Sequence, residues 1–144
     1  MKEVVFYYDF SSPYAYLGAT QIERVAQEQG ATVRWRPILV GALFNAIGTP
    51  NVPLDDFPAA KRSYMLRDLM HWAAHWRVQL RWPSRFPMRT VAPLRLALAV
   101  EAAGGDIAAV SHALFAPTGS TTATSPIRRC CASSGISRSS SRRR

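Results

Sequence analysis

The chain has 144 residues, enough for one domain with a hydrophobic core, and its formal net charge is +9. Residues 1–115 hold 12 basic and 9 acidic side chains, whereas residues 116–144 hold 6 arginines and no acidic residue. Most of the charge that would indicate a nucleic-acid or membrane-surface partner therefore lies in the C-terminal tail, and we expect neither partner.

The cysteines and the apolar segments exclude further classes. Cys130 and Cys131 are adjacent, and neighbouring residues do not reach ordinary disulfide geometry without backbone strain. The longest apolar segment, residues 91–103, contains Arg95 and Glu101 and is too short to span a bilayer. The N-terminus also lacks the apolar run and cleavage site of a signal peptide. We therefore expect a soluble cytoplasmic protein.

Residues 1–54 are predicted to form a β-α-β unit. Val4–Tyr8 is a continuous run of β-branched and aromatic residues, typical of a strand buried on both faces of a parallel sheet. From Pro13 the apolar period becomes helical, and Gly30 is placed to end that helix. Residues 32–39 then alternate as a second strand. A right-handed crossover makes the two strands parallel.

A loop rich in proline, glycine and asparagine, residues 48–58, precedes a helical region. Large apolar residues at helical spacing predict the buried stripe of a helix of about five turns: Met65, Leu69, Trp72 and Trp76. Two more helical patterns follow at residues 90–103 and 106–115. We predict a helical insertion over residues 55–115 and a disordered tail over residues 116–144, which has almost no large apolar side chain.

The junction between the first strand and the first helix, 11-SSPY-14, is the main candidate site. Ser12 before Pro13 fits a helix cap followed by the first helical residue, a structural role that accounts for most such steps. Three features support a second role as well: the carboxyl end of this strand faces a ligand crevice, the helix N-terminus attracts an anion, and Tyr14 and Tyr16 lie close by. A thiolate bound here would be stabilised by the hydroxyl and the helix end together.

The stretch FYYDFSSPYAYLG resembles the opening of the glutathione-dependent 2-hydroxychromene-2-carboxylate isomerases and kappa-class glutathione transferases. The likeness continues through WRPILVGALF, KRSYMLRDLMHWA and WPSRFP and covers residues 3–115. It implies an α/β protein with an incomplete DsbA-like thioredoxin fold and an inserted all-helical region. In redox relatives a C-P-x-C motif occupies the turn. Its replacement by Ser12-Pro13-Tyr14-Ala15 argues against disulfide exchange, which needs two protein thiols.

The resemblance implies glutathione as the cofactor. The family's serine that holds the glutathione sulfur matches Ser12, next to Pro13, and Ser11 is the less suitable of the two serines. A glutathione-contacting asparagine of the family matches Asn51, although an ordinary turn asparagine is an equal alternative at this position.

The implied reaction is the cis–trans rearrangement of a small aromatic substrate by thiol addition, single-bond rotation and elimination. Tyr14 and Arg89 are the candidate substrate contacts, Arg89 because a guanidinium matches the two oxygens of a carboxylate. The full-length relatives are expected to be homodimers. The alternatives are a kappa-type glutathione transferase and a DsbA-family protein, either a thiol oxidoreductase or a binding protein. An RNA-contacting protein acting through the basic tail is a third hypothesis.

A metal site is not predicted. His71 and His75 have the i, i+4 spacing of a two-histidine metal face. However, no glutamate follows His71 to make the HExxH motif, and the sequence shows no third ligand.

The tail is predicted to be read out of frame. Relatives continue the last helix with a pattern like Tyr-Trp-Val-Asp-x-x-Asp-Ile-x-Asp-Pro, which is absent after Phe115. A one-base shift of the codons for residues 117–131 can restore that run, although the first two bases of each codon constrain the result. We therefore expect a frameshift after about residue 116, the loss of the rest of the family's fold and an inactive 144-residue chain.

Overall fold

The computed structural model describes residues 2–50, 56–82 and 86–119, with side chains described up to residue 116. Within these residues the chain forms two strands and five helices. In chain order they are β1 (Lys2–Tyr8), α1 (Pro13–Glu28), β2 (Ala31–Pro37), α2 (Val40–Ala46), α3 (Ala59–His75), α4 (Val91–Ala102) and α5 (Ile107–Gly119). This order confirms the predicted α/β class and the β-α-β opening.

The two strands pair in parallel, as predicted, with Phe6 of β1 opposite Trp35 of β2. The prediction that β1 is buried on both faces is wrong. Val5 and Tyr7 are 40% and 63% exposed, whereas Tyr8, on the alternate face, is buried. Within the described residues the sheet has only these two strands, and the packed helices bury the face that carries Tyr8 and Trp35.

The main core lies between the sheet, α1, α4 and α5. Its buried members are Tyr8, Phe10, Ala19, Trp35, Leu94, Ala97 and Phe115. Aromatic rings dominate it, since the Tyr8 ring contacts those of Phe10, Trp35 and Phe115 at centroid distances of 5.4, 5.3 and 5.8 Å. Such edge and tilted contacts add to the free energy of burial. Because Tyr8 ends β1, this packing fixes the point from which the next residues enter the candidate site.

Helix α3 packs on α1 through a second cluster of Leu17, Leu69 and Ala73. Leu69 was predicted to be buried, but the predicted burial of Trp72 is wrong, because its side chain is 43% exposed. The small Ala73 takes the buried position beside Leu69, and the Trp72 ring instead contacts the Trp76 ring in a tilted arrangement at a centroid distance of 4.8 Å. Leu69 and Ala73 at i and i+4 therefore define the helix face that contacts α1.

Two boundaries differ from the sequence-based expectation. Helix α2 was not predicted; it has seven residues and no side-chain cap at its N-terminus. Helix α5 ends at Gly119, four residues beyond the predicted end. The division of the chain at residues 54 and 115 stays a prediction, as does the disorder of the tail, which lies outside the described residues after residue 119. None of the helices described here combines the length and hydropathy needed to cross a membrane.

Candidate active site

The Ser12-Pro13 step begins helix α1, as predicted. The Ser12 backbone is extended, at φ −90° and ψ 114°, and its Oγ accepts a hydrogen bond from the Ala15 backbone N–H at 3.2 Å. Pro13 is the first helical residue, where the missing N–H of proline costs no hydrogen bond. The serine oxygen therefore lies at the positive end of the α1 dipole.

The two serine hydroxyls have different partners. The Ser11 hydroxyl donates to Asp9 Oδ1 at 3.0 Å. The Ser12 oxygen accepts the Ala15 N–H, but among the described residues the hydrogen of the Ser12 hydroxyl has no acceptor. Ser12 is thus free to donate that hydrogen to a ligand, whereas Ser11 would first have to break its bond to Asp9.

Asp9 is a residue of this region that the sequence reasoning missed. It directly follows β1 and is only 3% exposed. Its Oδ1 accepts from the Ser11 N–H and hydroxyl, and its Oδ2 accepts from the Val40 N–H at 2.9 Å. An aspartate two residues before a turn serine is a recognisable signal for a side-chain-to-backbone turn, but its bond to α2 carries no local sequence signal.

A cavity of about 340 Å³ opens beside the Ser11-Ser12 turn. It lies among the start of α1, helices α2 and α3, and the segment that precedes α4. Its lining residues are Ser11, Ser12, Pro13, Tyr14, Val40, Phe44, Phe57, Met65, Leu66, Leu69, Trp82, Phe86 and Pro87. Most of these side chains are aliphatic or aromatic, and the two serines provide hydroxyls at one edge. An apolar cavity with a few polar groups on one side is typical of a site for a small organic molecule.

Tyr14 connects two walls of the cavity. Its hydroxyl donates to the Met65 carbonyl at 3.3 Å and to Asp68 Oδ2 at 3.2 Å, so the start of α1 is held against α3. Partial burial and the contact with Asp68 raise the pKa of Tyr14 above its ordinary value. The phenol therefore stays protonated at neutral pH and acts as a hydrogen-bond donor rather than a base.

The structure brings together three of the residues proposed from sequence. Ser12, Pro13 and Tyr14 lie side by side on the cavity wall. Asn51 lies outside the described residues. Arg89 is exposed and is not among the described residues that line the cavity, although it follows the lining residue Pro87 by two positions.

A second cation near the cavity was not predicted. The Lys61 ammonium nitrogen lies 3.6 Å from the centroid of the Phe57 ring, which is part of the cavity wall. Such a cation–π contact holds the ammonium group beside the apolar lining. Its sequence signal is weak, because Lys61 belongs to a run of charged and polar residues at the start of α3.

None of the three histidines is among the described residues that line the cavity. His71 and His75 of α3 are exposed, and the residues in view contain no group of three or more side chains suited to hold a metal. His112, for which the sequence offered no partner, forms a 2.9 Å contact with Glu23 and connects α5 to α1.

The sequence matches the family of DSBA-like thioredoxin domains over residues 3–144. It is 33% identical over 85 residues to 2-hydroxychromene-2-carboxylate isomerase from Sphingobium xenophagum, a match that covers 59% of this chain and 43% of the relative. It is 29% identical over 85 residues to glutathione s-transferase kappa 2 from Caenorhabditis elegans, covering 59% of this chain and 37% of the relative. The solved structure of a 2-hydroxychromene-2-carboxylate isomerase superposes with a TM-score of 0.47 and 22% identity, over 88% of this chain and 74% of that one. The chain thus spans less than half the length of these curated relatives.

Proposed function

This chain belongs to the family of DsbA-like thioredoxin domains, and we propose that its frame-restored counterpart is a glutathione-dependent isomerase of the 2-hydroxychromene-2-carboxylate type. The observation that carries the proposal is the Ser12 hydroxyl at the start of α1, which lines an apolar cavity and donates to no acceptor among the described residues. The names of the curated relatives support the same assignment.

The groups at the turn fit a thiolate. A sulfur anion needs a donor that is not already committed, and Ser12 has one, whereas the Ser11 hydroxyl is bound to Asp9. The N-terminus of α1 adds a positive potential at the same point. Together these groups would lower the pKa of a thiol bound there and hold its sulfur in place. Ser12 thereby takes the role of sulfur anchor, and Pro13 fixes the helix start behind it.

The apolar lining fits an aromatic substrate. Phe44, Phe57, Trp82 and Phe86 offer ring faces and edges to a flat molecule, and Met65 offers a flexible thioether. The volume of about 340 Å³ lies at the lower end of ordinary small-molecule cavities, which suits a compound of one or two rings. Bound glutathione would supply the thiol that adds reversibly to the conjugated side chain, so that the neighbouring bond can rotate.

The carboxylate of such a substrate needs a cation at the cavity rim. Arg89 remains our candidate because it lies two residues from Pro87 and its guanidinium can bind both oxygens. Lys61 is the competing candidate, because its ammonium group lies on Phe57 of the wall. Tyr14 supports this region by fixing α1 against α3.

A kappa-type transferase is the second candidate function. It is favoured by the relative named glutathione s-transferase kappa 2 and would use the same serine anchor. A thiol oxidoreductase is less well supported, because the turn that carries C-P-x-C in such proteins has Ser12-Pro13-Tyr14-Ala15 here.

The test is turnover of 2-hydroxychromene-2-carboxylate by the 144-residue chain and by its frame-restored counterpart, with glutathione, with S-methylglutathione and with neither. S-methylglutathione is the matched control, since it retains the peptide but has no thiol to ionise. We expect the frame-restored chain to turn over the substrate only when glutathione is present, and not with S-methylglutathione. Equal turnover without glutathione would reject the proposal. Conjugation of an electrophile without isomerisation would favour the transferase.

A further inference from the structure

Asp9 is a buried carboxylate between two walls of the cavity. It is 3% exposed, and the described residues include no lysine, arginine or histidine in an ion pair with it. Three donors satisfy it instead, at 2.9 to 3.0 Å. Burial of a carboxylate is costly unless hydrogen bonds replace its lost hydration, so the folded chain needs all three of these hydrogen bonds.

The three donors belong to different parts of the site. Oδ1 takes the Ser11 N–H and hydroxyl, on the turn that presents Ser12. Oδ2 takes the N–H of Val40, the first residue of α2, whose Val40 and Phe44 side chains line the cavity. The same carboxylate therefore sets the distance between the serine turn and the apolar wall formed by α2. Helix α2 has no side-chain cap from its own Ncap residue, so Asp9 also satisfies one of its unpaired N–H groups.

We propose that Asp9 is a positioning residue of the active site, holding the Ser11-Ser12 turn in register with α2 so that only the Ser12 hydroxyl is free for the sulfur. This inference rests on the proposed function. Because the Ser11 hydroxyl donates to Asp9, it does not compete with the Ser12 hydroxyl for the sulfur. The turn is closed on the backbone as well, because the Ser12 N–H donates to the Asp9 carbonyl at 3.0 Å.

The geometry requires an aspartate rather than an asparagine. All three partners are donors, and both carboxylate oxygens are used as acceptors. An asparagine has one acceptor oxygen, and its NH₂ group would face either the Ser11 N–H or the Val40 N–H. The substitution Asp9→Asn thus preserves size but breaks the connection on one side. By contrast, Ser11→Ala removes a single donor and keeps the connection to α2.

The test compares wild type, Asp9→Asn and Ser11→Ala, with Asp106→Asn as the matched control. Asp106 accepts the Ala109 N–H at 3.0 Å at the start of α5 and does not line the cavity, so its substitution has the same chemistry at a site without this role. Hydrogen exchange of the Ser11 and Val40 amides is measured on the full 144-residue chain. The pKa of the bound glutathione thiol, kcat and KM are measured on the frame-restored chain.

We expect Asp9→Asn to speed exchange at one or both of these amides and to lower kcat about tenfold or more, while Asp106→Asn leaves kcat unchanged. The thiol pKa should move back toward its free value even though Ser12 is still present. That shift distinguishes positioning from simple loss of stability, which lowers the amount of folded enzyme without changing the pKa of the bound thiol.

Two other outcomes separate the two claims. If wild type lowers the thiol pKa and Asp9→Asn lowers it equally, or if amide exchange at Ser11 and Val40 is unaltered, the positioning role of Asp9 is wrong and the proposed function stands. If wild type leaves the thiol pKa at its free value, the proposed function is wrong, and the positioning role is rejected with it.

Discussion

The hydroxyl groups of Tyr8 and Ser111 lie 2.5 Å apart, although the two residues are separated by 103 positions in the chain. Ser111 is 0% exposed and Tyr8 is buried among aromatic rings. The hydrogen bond therefore joins the end of β1 to α5 inside the core. Asp9 and the serine turn follow Tyr8 directly, so the bond also supports the entrance to the candidate site.

Loss of this bond should destabilise the fold. Tyr8→Phe leaves the ring in place but removes the buried partner of Ser111, and we expect the free energy of unfolding to fall by about 1–3 kcal/mol. Urea unfolding at low protein concentration measures it. The control is the double variant Tyr8→Phe/Ser111→Ala, in which neither hydroxyl is left unpaired, and its loss should be smaller than the sum of the single losses. Strictly additive losses would show that the bond does not couple the two elements.

Stability should also decline in alkaline solution. Burial raises the pKa of Tyr8, Tyr14 and Tyr16 above the ordinary tyrosine value. The pKa of each tyrosine is higher in the folded than in the unfolded state, so the neutral side chains stabilise the fold. Their contribution to the free energy of unfolding is complete below about pH 10 and is lost as the pH rises through the folded pKa. Urea unfolding between neutral pH and pH 11 measures it. A flat profile above about pH 10 would contradict the prediction, and Tyr8→Phe should reduce the slope.

The architecture could be predicted where local signals agree with tertiary packing. Ser12 and Pro13 carry the helix-start signal, and Gly30 adopts a left-handed φ of +62° at the end of α1, a conformation that glycine accepts without strain. At the C-terminus of α3 the same conformation falls on Arg77, with φ of 55°, which no residue-type preference indicates.

The parts that could not be predicted depend on contacts distant in sequence. Trp72 and Ala73 are adjacent, and the periodicity alone favours burial of the larger side chain, but in the packing of α3 on α1 Ala73 is buried and Trp72 is exposed. Helix α2 is too short for a periodic signal, and one of its first N–H groups is satisfied by Asp9, 31 positions earlier. The place of Lys61 beside the cavity likewise follows from its contact with Phe57 rather than from its own sequence context.

The two serines should differ in their effect on activity. In the frame-restored protein Ser12→Ala removes the uncommitted hydroxyl and should lower kcat/KM about tenfold or more, the value of roughly one charge-assisted hydrogen bond. Ser11→Ala is the matched control, and we expect a much smaller loss, because its hydroxyl serves Asp9. Ultraviolet titration of bound glutathione should show a raised thiol pKa for Ser12→Ala but not for Ser11→Ala. Equal losses in kcat/KM would reject Ser12 as the anchor.

Two single substitutions identify the cation that binds the substrate carboxylate. Arg89→Met and Lys61→Met each remove a positive charge while keeping a flexible apolar chain of similar length. We expect Arg89→Met to raise KM for the carboxylate substrate about tenfold and to leave the glutathione KM unchanged. Steady-state kinetics with each substrate varied in turn measures both values. If Lys61→Met raises the substrate KM and Arg89→Met does not, the role belongs to Lys61, whose position beside Phe57 already allows it.

The 144-residue chain should associate in solution and show no glutathione-dependent isomerase activity. Its two described strands have open edges, and Val5 and Tyr7 are exposed on the uncovered face of the sheet, a combination that favours pairing between chains. Inserting one base near codon 116 should restore the Tyr-Trp-Val-Asp reading, recover soluble protein and give turnover. Light scattering at increasing concentration and the isomerase assay measure the two effects.

The matched control is Val5→Lys/Tyr7→Lys in the unaltered frame, which should reduce association without giving activity, because charged side chains protect the exposed face but supply no part of the site. If the bases after codon 115 do not encode the shifted reading, or if the unaltered chain is monomeric and active, the frameshift account is wrong.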